Sequence, residues 1–247
     1  MATEVYQPPQ IVSDDTGIYF ASYPSANSTT RTNLQVYSEA FDNAAWAKIR
    51  SVINAEYTTA PDGSSTACQL VDDSSTGTNN IRVEDAAVTA TSTAYTHSVF
   101  AKADTLTWLL FEVAGSGTQS IFAYLDLSNG AVGNTGADNV SEGIEDAGNG
   151  WYRCWISYVS DSVDTSIVNR VYAAEANGDI VVDLDGTSSI LIWGYQMEAS
   201  AFLTSYIRTK AFAVPSPRLT SFYSDPNNVV FVGDAQIVGR VPVVSVA

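Results

Sequence analysis

A proline cannot donate the hydrogen bond that a central β-strand owes its neighbour, and in this chain prolines gather at the two ends. Pro8, Pro9 and Pro24 lie in the first part, Pro215, Pro217, Pro226 and Pro242 in the last, and only Pro61 between them. The long middle is therefore free to form a sheet core, and the ends read as extended arms or edge strands. Within the middle, short apolar runs alternate with turn chemistry. Strands are expected over Thr66–Val71, Asn80–Val83, Ala94–Ala103, Leu106–Val113, Ser120–Leu127, Trp151–Val159, Ile167–Ala174 and Ser189–Met197. The separators D-D-S-S-T-G-T-N-N, A-G-S-G-T, L-S-N-G and D-A-G-N-G supply residues for tight turns. Alternation is clearest in Y-T-H-S-V-F-A-K, which places Tyr95, His97, Val99 and Ala101 on one face and Thr96, Ser98, Phe100 and Lys102 on the other.

Strands at this spacing favour an all-β fold, a jelly-roll β-sandwich with extended N- and C-terminal arms. Only Ser38–Lys48 carries a pattern for a helical turn, with Ser38 or Asp42 as cap. The expected organisation is an extended arm over 1–32, the sandwich over 33–210 and a β-rich anchoring arm over 211–247. In the last arm, N-N-V-V-F-V-G-D-A-Q-I-V-G-R-V-P-V-V-S-V reads as β-rich runs broken at Gly233 and Gly239. Exposed apolar strands are aggregation hazards unless paired. Both arms are therefore expected to hold another surface, against the alternative that they pack on their own sandwich.

Charge narrows the partners. The formal net charge is −16, and residues 51–200 carry four basic against 20 acidic groups. A surface of that sign disfavours the phosphate backbone of nucleic acid. No apolar run approaches the roughly 20 residues of a membrane-spanning helix, so neither nucleic acid nor membrane is an expected partner. The N-terminal M-A-T-E-V-Y-Q-P-P lacks the basic and apolar regions of a secretory signal, and synthesis in a cytoplasm is expected. Cys68 and Cys154 sit in apolar strand patterns and read as buried free thiols, with a single bridge as the alternative.

Catalytic chemistry finds little to work with. His97 is the single histidine and lies mid-strand, so a histidine-rich zinc site is excluded and any serine triad would depend on that one ring. No G-x-S-x-G elbow or phosphate-binding loop is present. The chain is not expected to be an enzyme, and no catalytic residue or cofactor is assigned. Two binding candidates follow from residue type. Trp108 and Tyr124 have rings able to stack on a sugar, and Asp183 and Asp185, alternating before Gly186, have oxygens able to serve calcium, although the full twelve-residue calcium loop is missing.

Five blocks carry a family resemblance: N-L-Q-V-Y-S-E-A-F-D-N-A-A-W-A-K (Asn33–Lys48), A-P-D-G-S-S-T-A (Ala60–Ala67), Y-T-H-S-V-F-A-K (Tyr95–Lys102), G-N-G-W-Y-R-C (Gly148–Cys154) and W-G-Y-Q-M-E-A-S-A-F-L-T-S-Y-I-R-T (Trp193–Thr209). In this order they resemble a module of bacteriophage head spike, head fibre and tail fibre proteins. The resemblance implies a carbohydrate-binding-module-like jelly roll mounted on a virion. It further implies a non-enzymatic structural protein, a capsid head fibre, spike or decoration protein, with a tail-fibre or adaptor protein binding host surface glycan as the alternative. The implied partners are capsid or other virion proteins held through the arms, with a homo-oligomer, a trimer by the symmetry of fibrous virion parts. In these blocks Gly148 and Gly150 are expected to make turns, Trp151 to pack, Tyr206 to close the last strand, and Arg153 and Glu198 to pair by charge.

Overall fold

The computed structural model describes residues 31–75, 80–115, 117 and 119–211, together with the backbone of 10–14, 17–21, 214–215, 223–225 and 228–230. The chain divides into two compact units, residues 31–215 and residues 1–30 with 216–247. In the second, the described backbone makes two antiparallel hairpins, β1 (Gln10–Asp14) with β2 (Gly17–Ala21) and β17 (Tyr223–Asp225) with β18 (Asn228–Val230). The breaks expected at Gly233 and Gly239 lie outside the described residues.

Residues 31–215 form the all-β sandwich. In chain order its strands are β3 (Thr32–Asn33), β4 (Ala47–Ile49), β5 (Ser51–Thr58), β6 (Ala67–Asp72), β7 (Ile81–Val88), β8 (Ala94–Ala103), β9 (Trp108–Gly115), β10 (Ile121–Asp126), β11 (Ala131–Thr135), β12 (Asn139–Gly148), β13 (Trp151–Val159), β14 (Ser166–Ala174), β15 (Ser189–Glu198) and β16 (Val214–Pro215). Two six-stranded antiparallel sheets result, sheet A in the order β11-β10-β9-β14-β7-β4 and sheet B in the order β12-β13-β8-β15-β6-β5. From β4 to β15 seven of the eleven connections cross between the sheets, while β5–β6, β9–β10, β10–β11 and β12–β13 join neighbours within one sheet. No helix occurs among the described residues. At Ser38–Lys48 the backbone makes successive tight turns instead, with Ala40, Asn43 and Trp46 donating to the carbonyls of Tyr37, Ala40 and Asn43. Asn43 Oδ1 takes the N–H of Ala45, a local bond that competes with helix, and Ser38 bonds Thr209 rather than capping.

The core lies between the sheets. Sheet A contributes Leu109, Phe111, Val113, Ala123, Leu125 and Val171, and sheet B contributes Leu70, Val99, Ala101, Cys154, Ile156, Ile190 and Ile192, all buried. The alternation in β8 falls as its sequence requires, with Tyr95, His97, Val99 and Ala101 in this layer. Cys68 and Cys154 are buried free thiols, and burial pushes the Cys68 thiol up to about 11.

His97 is a polar residue inside that layer. It is fully buried, with Nδ1 at 2.9 Å from the Tyr195 hydroxyl and Nε2 at 3.2 Å from the Tyr158 hydroxyl. A neutral imidazole has one N–H and one lone pair, so one tyrosine accepts from the ring and the other donates to it. Burial pushes its pKa down to about 3. The unfolded chain therefore takes up a proton near pH 6.5 that the folded chain refuses, and stability falls as pH drops from about 6.5 towards 3, by up to about 1.4 kcal/mol per pH unit. In urea titrations His97→Gln, neutral at every pH, should lose less stability over this window than the wild type; parallel pH profiles would contradict the assignment.

Candidate functional site

The outward face of sheet A gathers the surface chemistry. Strand register sets side chains in rows across it. One row runs Phe122, Glu112, Arg170, Glu84, Ala47, and the next Tyr124, Leu110, Tyr172, Arg82, Ile49. The charges alternate and pair: Arg170 reaches Glu112 at 3.1 Å and Glu84 at 3.2 Å, and Arg82 reaches Glu84 at 2.8 Å. The Tyr172 hydroxyl donates to Glu112 at 3.0 Å, and burial pushes its pKa up to about 12. Arg82 also lies over the Tyr172 ring at 5.2 Å. The result is a charge-balanced island on an acidic protein.

Trp108 and Tyr124 belong to this face and come together. With Leu110, Phe122, Tyr172, Ala174 and Ile180 they form one apolar cluster. Trp108 and Phe122 stay partly exposed, whereas Tyr124 is only 8% exposed, and Ile180 of the segment after β14 packs into the same cluster. That segment is itself held, since Asn177 Oδ1 accepts the N–H of Asn134 and Asp179 closes a bridge to Ala176. Trp108 also lies so near Gly133 that a Cβ there would meet its ring at 2.8 Å.

Asp183 and Asp185 occupy the turn before β15. The Asp185 carboxylate accepts from the Thr187 N–H and hydroxyl, bonds that hold its pKa below the usual carboxylate range. The Asp183 carbonyl accepts from the Ser188 hydroxyl. The turn is fastened by Asp72, whose carboxylate accepts from the N–H groups of Gly186 and Ser188. Among the described residues, no three His, Cys, Asp or Glu side chains gather in a group able to hold a metal ion.

The aromatic blocks lie on the other outward face, that of sheet B. Trp151, Trp193, Leu191, Ala60 and Ala67 pack there with Phe100 and Tyr206. The two indole N–H groups donate to Thr59 O and Thr66 Oγ1. Gly148, Asn149 and Gly150 all have positive φ, as the hairpin from β12 to β13 demands. Gly194 has φ +63° beside Phe100 and Tyr206, at the irregularity between Trp193 and Gln196 where β15 shifts register against β8. Arg153 and Glu198 do not meet in a direct ion pair. Arg153 donates to the Thr204 carbonyl at 2.6 Å and the Ser98 hydroxyl at 3.0 Å, while Glu198 accepts from Gln196 and the Thr204 hydroxyl. Thr204 stands between them, so the opposite charges act through one shared residue.

Sequence reasoning missed the polar residues that bind the segment 199–211 across this face. Gln196 Oε1 accepts the Ile207 N–H at 2.6 Å, and Ser38 and Thr209 exchange bonds in both directions. Asn33 is fully buried, donates to the carbonyls of Tyr195 and Ile207, and accepts from the N–H groups of Gln35 and Met197. The available signal was amide and carboxylate side chains inside otherwise apolar strand text, as in W-G-Y-Q-M-E.

No family model and no curated protein matches the sequence. Similar solved structures include the enzymatically active domain of bacteriophage CBA120 tailspike protein 4, at 12% identity over 67% of this chain and 21% of that chain, TM-score 0.40. A CBM4 structure is 15% identical over 65% of this chain and 83% of that one, TM-score 0.34. The CBM22-1–GH10 modules of the Clostridium thermocellum endo-1,4-beta-D-xylanase 10B, complexed with xylohexaose, are 8% identical over 72% and 30%, TM-score 0.38. The chain thus spans about a fifth of the tailspike chain.

Gly194→Ala tests the frame of sheet B. Left-handed backbone costs a non-glycine residue about 1–2 kcal/mol, and the new Cβ would meet Phe100 at 3.0 Å. A loss of about 2 kcal/mol in urea denaturation is expected; a variant as stable as the wild type would show that the aromatic packing yields freely.

Proposed function

We propose that this chain is a non-enzymatic virion surface protein that displays its sandwich outward and is mounted through the segments on either side. The observation that carries the proposal is the pairing of β3 with β16, Asn33 opposite Val214 and Thr32 opposite Pro215. The first and last strands of the sandwich unit are adjacent and antiparallel, so the chain enters and leaves the unit at one place. Such an arrangement suits a module presented on a mount formed by both flanks together. The five blocks resembling phage spike and fibre modules support the same reading, and they lie within the displayed unit. The non-enzymatic assignment is supported by chemistry: His97 is buried between two tyrosine hydroxyls, and both thiols are buried in the core region.

Deleting 216–247 removes one flank and leaves every sandwich strand intact. The truncated protein should fold with an unchanged denaturation midpoint and fail to be incorporated into particles; normal incorporation would refute mounting through the flanks.

A second reading, binding of a host surface glycan, is favoured by the partly exposed rings of Trp108 and Phe122 beside the Glu112–Arg170 pair. On a glycan array the intact protein should then bind a saccharide that Trp108→Ala binds at least tenfold less well, since the ring face would be the stacking surface. An empty array would remove this reading and leave the first untouched.

A further inference from the structure

Asn169 Oδ1 is one of several buried polar side-chain atoms of the described residues that have no hydrogen-bond partner. Asn169 of β14 stands directly opposite Asp85 of β7, and both point into the inter-sheet layer. Asn169 is fully buried, and its Oδ1 has no hydrogen-bond partner. Gln35, 2% exposed, reaches in from the entry segment: its Nε2 donates to Asp85 Oδ2 at 2.5 Å and its Oε1 accepts from Asn169 Nδ2 at 3.3 Å. With Asp85 ionised, neither its carboxylate nor the Gln35 amide, whose N–H already serves Asp85, offers a proton to Asn169 Oδ1. With Asp85 protonated, one O–H group completes the set.

We propose that Gln35, Asp85 and Asn169 form a proton-operated latch, in which Asp85 takes up a proton from solvent and donates it as Oδ–H to Asn169 Oδ1. The surroundings favour the neutral form. Val113 of β9, opposite Asn169, is apolar, and Tyr195 of β15 is an uncharged phenol bound to His97. Arg82 and Arg170 sit on the opposite face of sheet A, and Lys48 of β4 gives its ammonium to the carbonyls of Asp42 and Asn43. Burial raises the Asp85 pKa, and the bond from Gln35 only partly opposes it. The latch acts on the seam between the entry and exit segments, because the Gln35 carbonyl accepts from Thr209 Oγ1 and so ties the two together.

The sign follows from the raised pKa. The folded state holds the proton more tightly than the unfolded chain. The stabilisation is therefore complete below the unfolded carboxylate value of about 3.9 and is lost as pH rises through the folded value. Asp85→Asn carries a permanent N–H donor in place of the proton. Urea midpoints of the wild type and D85N should coincide near pH 4 and separate as pH rises, with D85N the higher at pH 8; His97 contributes equally to both. A pH-independent difference, or a lower midpoint for D85N at pH 8, would overturn the latch. So would stabilisation of the wild type by added calcium that D85N abolishes, because a cation would then occupy the place of the proton. Should D85N fail to fold, the carboxyl carbon resonance of Asp85 decides in the wild type: it should titrate above the unfolded carboxylate value of about 3.9, and titration at or below that value would refute the proposal.

Discussion

The structure depends on one buried amide. Asn33 has two N–H donors and two acceptor sites, and all four are used on backbone groups of Gln35, Tyr195, Met197 and Ile207. Those groups belong to the entry segment, the central strand β15 and the segment leaving it. None has a water to turn to at that depth, so removing the side chain would orphan several at once, at about 1–3 kcal/mol each. The bonds of Leu34 to Met197 and Tyr37 to Lys210 extend the same seam along the backbone. Two chain segments more than 160 residues apart in sequence are thereby made neighbours.

This seam explains why β15 is buried along its whole length. The inner face of such a strand meets the other sheet, but its outer face would ordinarily meet solvent. Here residues 199–211 cross that outer face, and Gln196, Glu198 and Thr204 satisfy polar groups that the covering would otherwise strand. Trp151, Trp193, Phe100 and Tyr206 fill the apolar part of the same interface. The aromatic blocks, which on residue type alone invite a ligand, are occupied by the protein itself. Sheet A is different: its outward face holds paired charges and two partly exposed rings, which is where external recognition has room.

The eight strands expected from apolar text all form, because each is a central or near-central strand with at least one buried face. Within the two six-stranded sheets the strands not anticipated are β4, β5, β11 and β12, which are the sheet edges. An edge strand packs less, so its sequence is free of the pattern that betrays a strand; Asn139–Gly148 reads as polar text yet pairs along β13 with two irregularities. Side-chain bonding was less legible than strands. Arg153 and Glu198 attract by sign, but the intervening position of Thr204 is a tertiary fact with no sequence spacing to announce it. Asn33 was visible as part of a block, while its role depends on residues far along the chain. Trp108 and Tyr124 share a face through cross-strand register, and the packing of Ile180 into their cluster is a tertiary contact with no sequence spacing to announce it.

Native-state hydrogen exchange at single-residue resolution tests the seam most directly, because it measures whether the entry and exit segments open with the core or before it. The N–H groups of Met197, Ile207 and Thr209, bound by Asn33, Gln196 and Ser38, should exchange as slowly as that of Val99 in the centre of β8. Exchange of these three by a separate, lower-energy opening, with Val99 still protected, would contradict the account and make residues 199–211 a loosely laid cover.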